Sequence, residues 1–196
     1  KMNIIRLLLA LSKSGLLSFS SIVKLLSGIY KHGINLMALL QFAASKYGDA
    51  VVLVDDKEKL TYIQLFQDSM QLASRLNEQY DIEHKQKIGL LCRNHASLVK
   101  AIFALSRLGA KIYLINTEIG KVQFHQLVNS HQFDFFIYDE HYSTVVNESN
   151  LRKNICITKL LNSVNQSSAS TRPIQRCSTS NIVLLTSGTT GTPKQV

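Results

Sequence analysis

Cysteine, proline and tryptophan are scarce in this sequence, and the scarcity of cysteine is informative. The 196 residues contain three cysteines, two prolines and no tryptophan. Cys92, Cys156 and Cys177 lie far apart without C-x-x-C spacing, which argues against a disulfide framework or a zinc site and favours a reducing compartment. No apolar run is long enough to cross a bilayer, and no small-residue cleavage site follows the apolar residues 7–11. We therefore expect a cytoplasmic globular protein.

Acidic residues are missing from both ends of the chain. All 13 Asp and Glu residues lie between Asp49 and Glu148, although the formal net charge is +9. The two basic ends need separate explanations, because the middle of the chain is itself slightly acidic. A nucleotide or pyrophosphate is a natural partner for the C-terminal end. We do not expect this protein to bind nucleic acid.

The first 33 residues show helical periodicity and contain Lys24 and Lys31 but no acid. Apolar residues recur there at spacings of three and four: Leu16, Phe19, Ile22, Val23, Leu26, Ile29 and Tyr30. A basic amphipathic helix of this kind can lie peripherally on an anionic membrane surface. The alternative is that the same apolar residues pack on the domain that follows.

The pattern after residue 33 alternates between helices and strands. A helix is predicted over 36–47, with Leu39 facing inward, and short strands over 50–54 and 60–62. Thr61 and Gln64 form a capping-box pattern that opens the next helix. The remaining predicted strands cover 87–92, 111–115, 133–138 and 154–158, and an apolar run that can be a buried strand begins at Asn181.

Helices separate most of these strands. Asn94 is the predicted N-cap of a helix over 95–108, and Gly109 its C-terminal cap glycine. Strands joined by helices imply an α/β fold with a mostly parallel sheet flanked by helices. The expected organisation begins with a helical extension over 1–33 and an α/β subdomain over 34–161. A serine-rich polar linker over 162–180 and a strand with a phosphate-binding loop over 181–196 follow.

A loop of hydroxyls and glycines follows the last predicted strand. It reads Thr186-Ser187-Gly188-Thr189-Thr190-Gly191-Thr192-Pro193-Lys194. Glycines let main-chain N–H groups converge on an anion, hydroxyls add donors, and the lysine adds positive charge. The nucleoside-triphosphatase P-loop does not fit, because the two glycines are only three residues apart and Gln195 replaces the magnesium-binding hydroxyl.

This stretch resembles the phosphate-loop signature of the adenylate-forming (AMP-binding) superfamily, T-S-G-T-T-G-x-P-K-G, with Gln195 in place of the final glycine. Three further stretches are similar to the bacterial long- and medium-chain fatty-acyl-CoA synthetases of that superfamily: Arg93-Asn94-His95, Ser106-Arg107-Leu108-Gly109-Ala110 and Asn116-Thr117. The resemblance implies the first subdomain of the large N-terminal domain of such an enzyme.

The resemblance also implies a reaction and its site. A complete enzyme would join a fatty acid to ATP as acyl-AMP, releasing pyrophosphate, and then transfer the acyl group to CoA. The cofactor-binding residues would be Thr186, Ser187, Gly188, Thr189, Thr190, Gly191 and Lys194. Thr186 would also help to hold Mg²⁺, and the catalytic residues would lie beyond Val196. The 196 residues alone are therefore expected to be an inactive fragment.

The sequence leaves two alternatives open. One is an amino-acid or aryl-acid adenylating domain, since acid choice depends on pocket residues that this stretch does not contain. The other is a non-catalytic membrane-docking or interaction protein that retains only the subdomain. Elsewhere, His95 is expected to be a capping or packing residue, and adjacent Asp55 and Asp56 are not expected to bind a metal.

Overall fold

Helices and strands alternate in the computed structural model, which describes residues 18–165, 173–175, 179–186 and 194–195. The α-helices of these residues are α1 Phe19–His32, α2 Leu36–Tyr47, α3 Tyr62–Tyr80, α4 Ala96–Arg107, α5 Lys121–His131, α6 Ser143–Asn147 and α7 Ile157–Asn165. A 3₁₀ turn, Glu140–Tyr142, precedes α6. The strands are β1 Val51–Val54, β2 Lys59–Thr61, β3 Lys87–Leu91, β4 Lys111–Ile115, β5 Phe135–Tyr138, β6 Asn154–Cys156, β7 Asn181–Thr186 and β8 Lys194–Gln195.

Six of these strands form one sheet in the order β6-β5-β3-β4-β7-β8. The first five strands of that order run parallel, and β8 alone pairs antiparallel with β7. β1 and β2 form a separate antiparallel hairpin. The predicted α/β class with a mostly parallel sheet is therefore confirmed. In such a sheet the carboxyl ends of the strands share one edge, where ligands bind.

The two faces of the sheet carry separate apolar clusters, because successive side chains of a strand point to opposite faces. Ile88 and Leu90 pack with α3, α4 and α7, whereas Leu91 packs with α5 on the other face. Gly89 belongs to the second face, where a Cβ atom would lie only 2.4 Å from the ring of Phe136. Glycine at this position therefore lets the aromatic ring cross the strand.

Capping residues define the ends of two helices. The predicted capping box of α3 is confirmed, with Thr61 and Gln64 bonding each other's backbone N–H groups. Asn94 is not the N-cap of α4; that residue is His95, whose backbone is extended and whose ring accepts from the N–H of Leu98. Gly109 has a φ of 71° and ends α4 as predicted.

The segment after β6 differs from its prediction. The strand expected over 154–158 ends at Cys156, and α7 begins at Ile157 and runs into the first residues of the expected linker. Ile157 and Leu160 are buried against the core, so tertiary packing favours a helix there. The domain boundaries themselves stay predictions, and part of the 162–180 segment lies outside the described residues.

The N-terminal helices form a pair beside the sheet. The predicted helical periodicity is confirmed over Phe19–His32, whereas residues 1–17 lie outside the described part of the chain. Leu39 of α2 was expected to face inward but is 53% exposed. α2 instead buries Met37, Ala38 and Leu40.

Candidate functional site

β7 brings the first residue of the Gly/Thr-rich loop to the carboxyl edge of the sheet. Ile112 to Ile115 of β4 pair with Ile182 to Leu185, and Thr186 follows as the last residue of β7. Leu185 is buried and anchors this end of the strand in the core. The loop therefore starts where ligands approach a parallel sheet.

The lysine of the motif returns to the same place. β8 pairs antiparallel with β7, and Thr186 and Lys194 are direct cross-strand partners. Cα atoms of such partners are about 4.5–5.5 Å apart. The chain thus brings the first residue and the lysine of the motif together, although β8 is too short to be recognised in the sequence. Ser187, Gly188, Thr189, Thr190 and Gly191 lie outside the described residues, so their phosphate-binding roles stay predictions.

The Ser106-Arg107 pair holds the segment that leads into β7. The guanidinium of buried Arg107 donates to the carbonyls of Ile174, at 3.0 Å, and Gln175, at 2.8 Å. The Ser106 hydroxyl lies 2.6 Å from that of Ser180 and accepts from the N–H of Leu36 at 3.1 Å. The sequence identified this pair by resemblance only; the structure shows that it ties α4 to the approach to β7.

A buried carboxylate joins the carboxyl ends of β3 and β5. Asp139 accepts the backbone N–H of Arg93 at 2.7 Å and lies 2.8 Å from Nε2 of His95 and 3.4 Å from Nε of Arg93. Since Nδ1 of His95 accepts from the N–H of Leu98, Nε2 is the ring nitrogen that donates to Asp139. His95 is thus a capping residue, as expected. The sequence did not predict this role of Asp139. The only signal for it was an acidic residue directly after four apolar residues.

Asp55 acts as a second cap of α4 from the β1–β2 hairpin. Its carboxylate accepts the N–H groups of Ala96, Lys57 and Glu58, each at 2.8 Å. These three bonds, that from Ala96 first, lower the pKa of Asp55 to about 2. The carboxylate oxygens are therefore engaged by backbone donors rather than directed at a metal.

Lys100 connects the hairpin, α3 and α4. Its buried ammonium group contacts Glu58 at 2.7 Å and Asp68 at 2.9 Å. Burial by itself opposes the charged form, but the bonds to Glu58 and Asp68 outweigh it, so the pKa of Lys100 is raised. α4, whose N-cap is His95, is thus held to both the hairpin and α3.

No cluster of three or more His, Cys, Asp or Glu side chains that could hold a metal ion occurs in the described parts of the chain. Mg²⁺ in sites of this kind is bound chiefly through substrate phosphates with one or two protein oxygens. The magnesium-binding role expected of Thr186 stays a prediction.

Together, the mostly parallel sheet and the pairing of Thr186 with Lys194 at its carboxyl edge define an α/β fold of the kind that binds ligands at that edge. The family model described as AMP-binding enzyme matches residues 40–196, so this chain belongs to the AMP-binding enzyme family. That match includes the whole loop from Thr186 to Lys194.

Individual relatives agree with this family. A medium/long-chain-fatty-acid–CoA/3-oxocholest-4-en-26-oate–CoA ligase of Mycobacterium tuberculosis is 26% identical over 110 residues, which are 56% of this chain and 20% of that protein. A 2-succinylbenzoate–CoA ligase of Bacillus licheniformis is 31% identical over 75 residues, which are 38% of this chain and 16% of that protein. The matches thus span a fifth or less of each relative's own length.

A solved structure shares the fold. O-succinylbenzoate coenzyme A synthetase from Bacillus subtilis, in complex with ATP and magnesium ion, has a TM-score of 0.63 at 21% identity. The match covers 80% of this chain and 41% of that chain.

Proposed function

We propose that this chain is the N-terminal part of an ATP-dependent acid–CoA ligase that activates fatty acids. The carboxylate attacks the α-phosphorus of ATP, giving acyl-AMP and pyrophosphate. The thiol of CoA then attacks the acyl carbon, which gives acyl-CoA, AMP and a proton. The mixed anhydride is needed because a carboxylate oxygen is a poor leaving group.

The observation that carries this proposal is the pairing of Thr186 with Lys194 at the carboxyl edge. In the proposed site, the N–H and hydroxyl groups of residues 186–191 donate to the β- and γ-phosphates, and Lys194 offsets their charge. Thr186 contributes a hydroxyl to Mg²⁺ that the phosphates hold. The residues that select the acid and perform the transfer lie outside these 196 residues, and we expect no adenylation by the chain alone.

Fatty acids are favoured by the relative from Mycobacterium tuberculosis and by the Arg93-Asn94-His95 and Ser106–Ala110 stretches. The relative from Bacillus licheniformis supports the second candidate, an aryl acid such as 2-succinylbenzoate. A cytoplasmic location, with peripheral contact to the membrane that holds fatty acids, accompanies the first candidate.

ATP–pyrophosphate exchange by the full translated product of the gene tests both candidates. We expect exchange with saturated fatty acids but not with 2-succinylbenzoate or benzoate. Lys194→Ala should lower the exchange rate by about 100-fold, the scale of one lost transition-state donor. Lys159→Ala, at an exposed lysine of α7, is the matched control. Exchange with the aromatic acids alone would favour the second candidate, and no exchange with any acid would refute ligase activity.

A further inference from the structure

Several large apolar residues of α1 are exposed although the helix packs on α2. Ser21, Gly28 and His32 of α1 are buried, and Leu25 and Ile29 are half-buried. A Cβ atom on Gly28 would lie 2.8 Å from the carbonyl oxygen of Ala38, so the two backbones touch there. The residues of α1 that are fully buried are thus small or polar, whereas Ile22, Val23, Leu26 and Tyr30 are exposed.

The exposed apolar residues of α1 share one side of the helix, and we call this surface the α1 stripe. Ile22, Leu26 and Tyr30, at successive spacings of four on α1, are 42%, 57% and 76% exposed. Ile34 and Leu39 extend the surface toward the edge of the sheet. Exposed apolar side chains grouped in this way are typical of interaction sites.

The charge around the α1 stripe favours an anionic occupant. Residues 18–48 contain Lys24, Lys31 and Lys46 and no acid. The Lys24 ammonium donates to the carbonyl of Ser45 at 2.9 Å, a contact that leaves its positive charge uncompensated. All three lysines lie on the same helix pair as the stripe. A second copy of the chain would bring two surfaces of like charge together.

We propose that the α1 stripe docks on a phospholipid surface that contains acidic headgroups. The aliphatic and aromatic side chains enter the headgroup boundary, while the lysines are attracted to the lipid phosphates. Among the described residues no helix is both long and apolar enough to span a bilayer. It would place the proposed ligase beside membrane-dissolved fatty acids, but it can be measured without any ligase activity.

Flotation of the 196-residue chain with vesicles tests the proposal. We expect binding to phosphatidylcholine vesicles that contain phosphatidylglycerol, weaker binding to phosphatidylcholine alone, and loss of binding as salt is raised. The double variant Leu26→Ser/Tyr30→Ser should lower the partition coefficient about tenfold or more. The reason is that the two serines bury less apolar area in the lipid than Leu26 and Tyr30 do. Val122→Ser is the matched control, since Val122 is 72% exposed on α5.

The charge contribution has its own pair of variants. Lys31→Gln should weaken binding to the acidic vesicles, whereas Lys57→Gln, at the exposed β1–β2 turn, should not. Circular dichroism identifies any variant that fails to fold.

Three results would overturn the proposal. The first is equal flotation of the stripe variant and the control. The second is binding that disappears on removal of residues 1–17 but survives the stripe variant, since that would assign the contact to the terminal segment. The third is a longer gene product that does not bind the same vesicles, since that would show its own polypeptide covering the stripe.

Discussion

Buried polar residues, rather than the apolar core, account for the pH response expected of this protein. His32, at the C-terminal end of α1, is 6% exposed, and its ring packs edge-on against Phe66 at 6.0 Å between centroids. Burial, followed by the positive charge of Arg107, lowers the pKa of His32 from 6.5 to about 4. The folded protein therefore holds this imidazole neutral at a pH where an unfolded chain would protonate it.

The first prediction concerns acid stability. Because the pKa of His32 is lower in the folded state, the unfolded chain binds more protons between about pH 6.5 and 4, and the free energy of unfolding falls as the pH decreases through that window. The stabilising contribution is complete above pH 6.5. Near pH 5 the slope from this residue should approach about 1 kcal/mol per pH unit.

Urea unfolding across this pH range measures the effect. His32→Gln should flatten the dependence relative to the unmodified chain, whereas His84→Gln, at an exposed histidine, should leave it unchanged. Identical pH profiles for His32→Gln and the unmodified chain would contradict the assignment.

At the scale of elements, long-range polar contacts fix where the strands and helices end. Asp139 joins the ends of β3 and β5, Asp55 caps α4 from the hairpin, and Arg107 holds the approach to β7. The last of these bears on the nucleotide site, because β7 delivers Thr186 to the carboxyl edge of the sheet.

The second prediction tests that connection. Arg107→Lys removes the planar fork that donates to two neighbouring carbonyls, and a single ammonium group cannot reproduce its geometry. We expect a loss of about 1–3 kcal/mol in the free energy of unfolding. The charged hydrogen bonds become weaker, and a carbonyl group that the lysine does not reach loses its donor. Limited proteolysis should also cut faster near residue 175.

Arg152→Lys is the control, since Arg152 is exposed beside β6. If Arg107→Lys unfolds at the same urea concentration as this control, the two carbonyl contacts do not stabilise the segment.

At the scale of the whole molecule, stability is expected to be uneven. β3 and β4 lie inside the sheet with strands on both sides. In α1, by contrast, Ile22, Leu26 and Tyr30 are exposed, and Gly28 makes the close contact with α2. Regions with less buried apolar surface open at lower free energy. The family match also begins at residue 40, within α2 and after α1.

The third prediction follows from this difference. In native-state hydrogen exchange, the backbone amides of α1 should exchange at least about tenfold faster than those of β3 and β4. Addition of acidic vesicles should slow exchange in α1 alone if the stripe docks as proposed. Equal protection of α1 and the central strands without vesicles would show that the helix pair belongs to the same cooperative unit.

The Thr186–Lys194 motif was readable from the sequence and is part of the family match. The alternation of helices and strands, the α3 capping box and the Gly109 cap were also readable, because each depends on residues that are close along the chain. The roles of Asp139, Asp55 and Arg107, the pairing of Lys194 with Thr186 and the outward direction of the α1 stripe appeared only in the tertiary structure. Side-chain partners 40 to 70 residues apart are set by how crossovers bring strand ends together. Helical periodicity shows which face of α1 is apolar, but the close contact at Gly28 decides which face is buried.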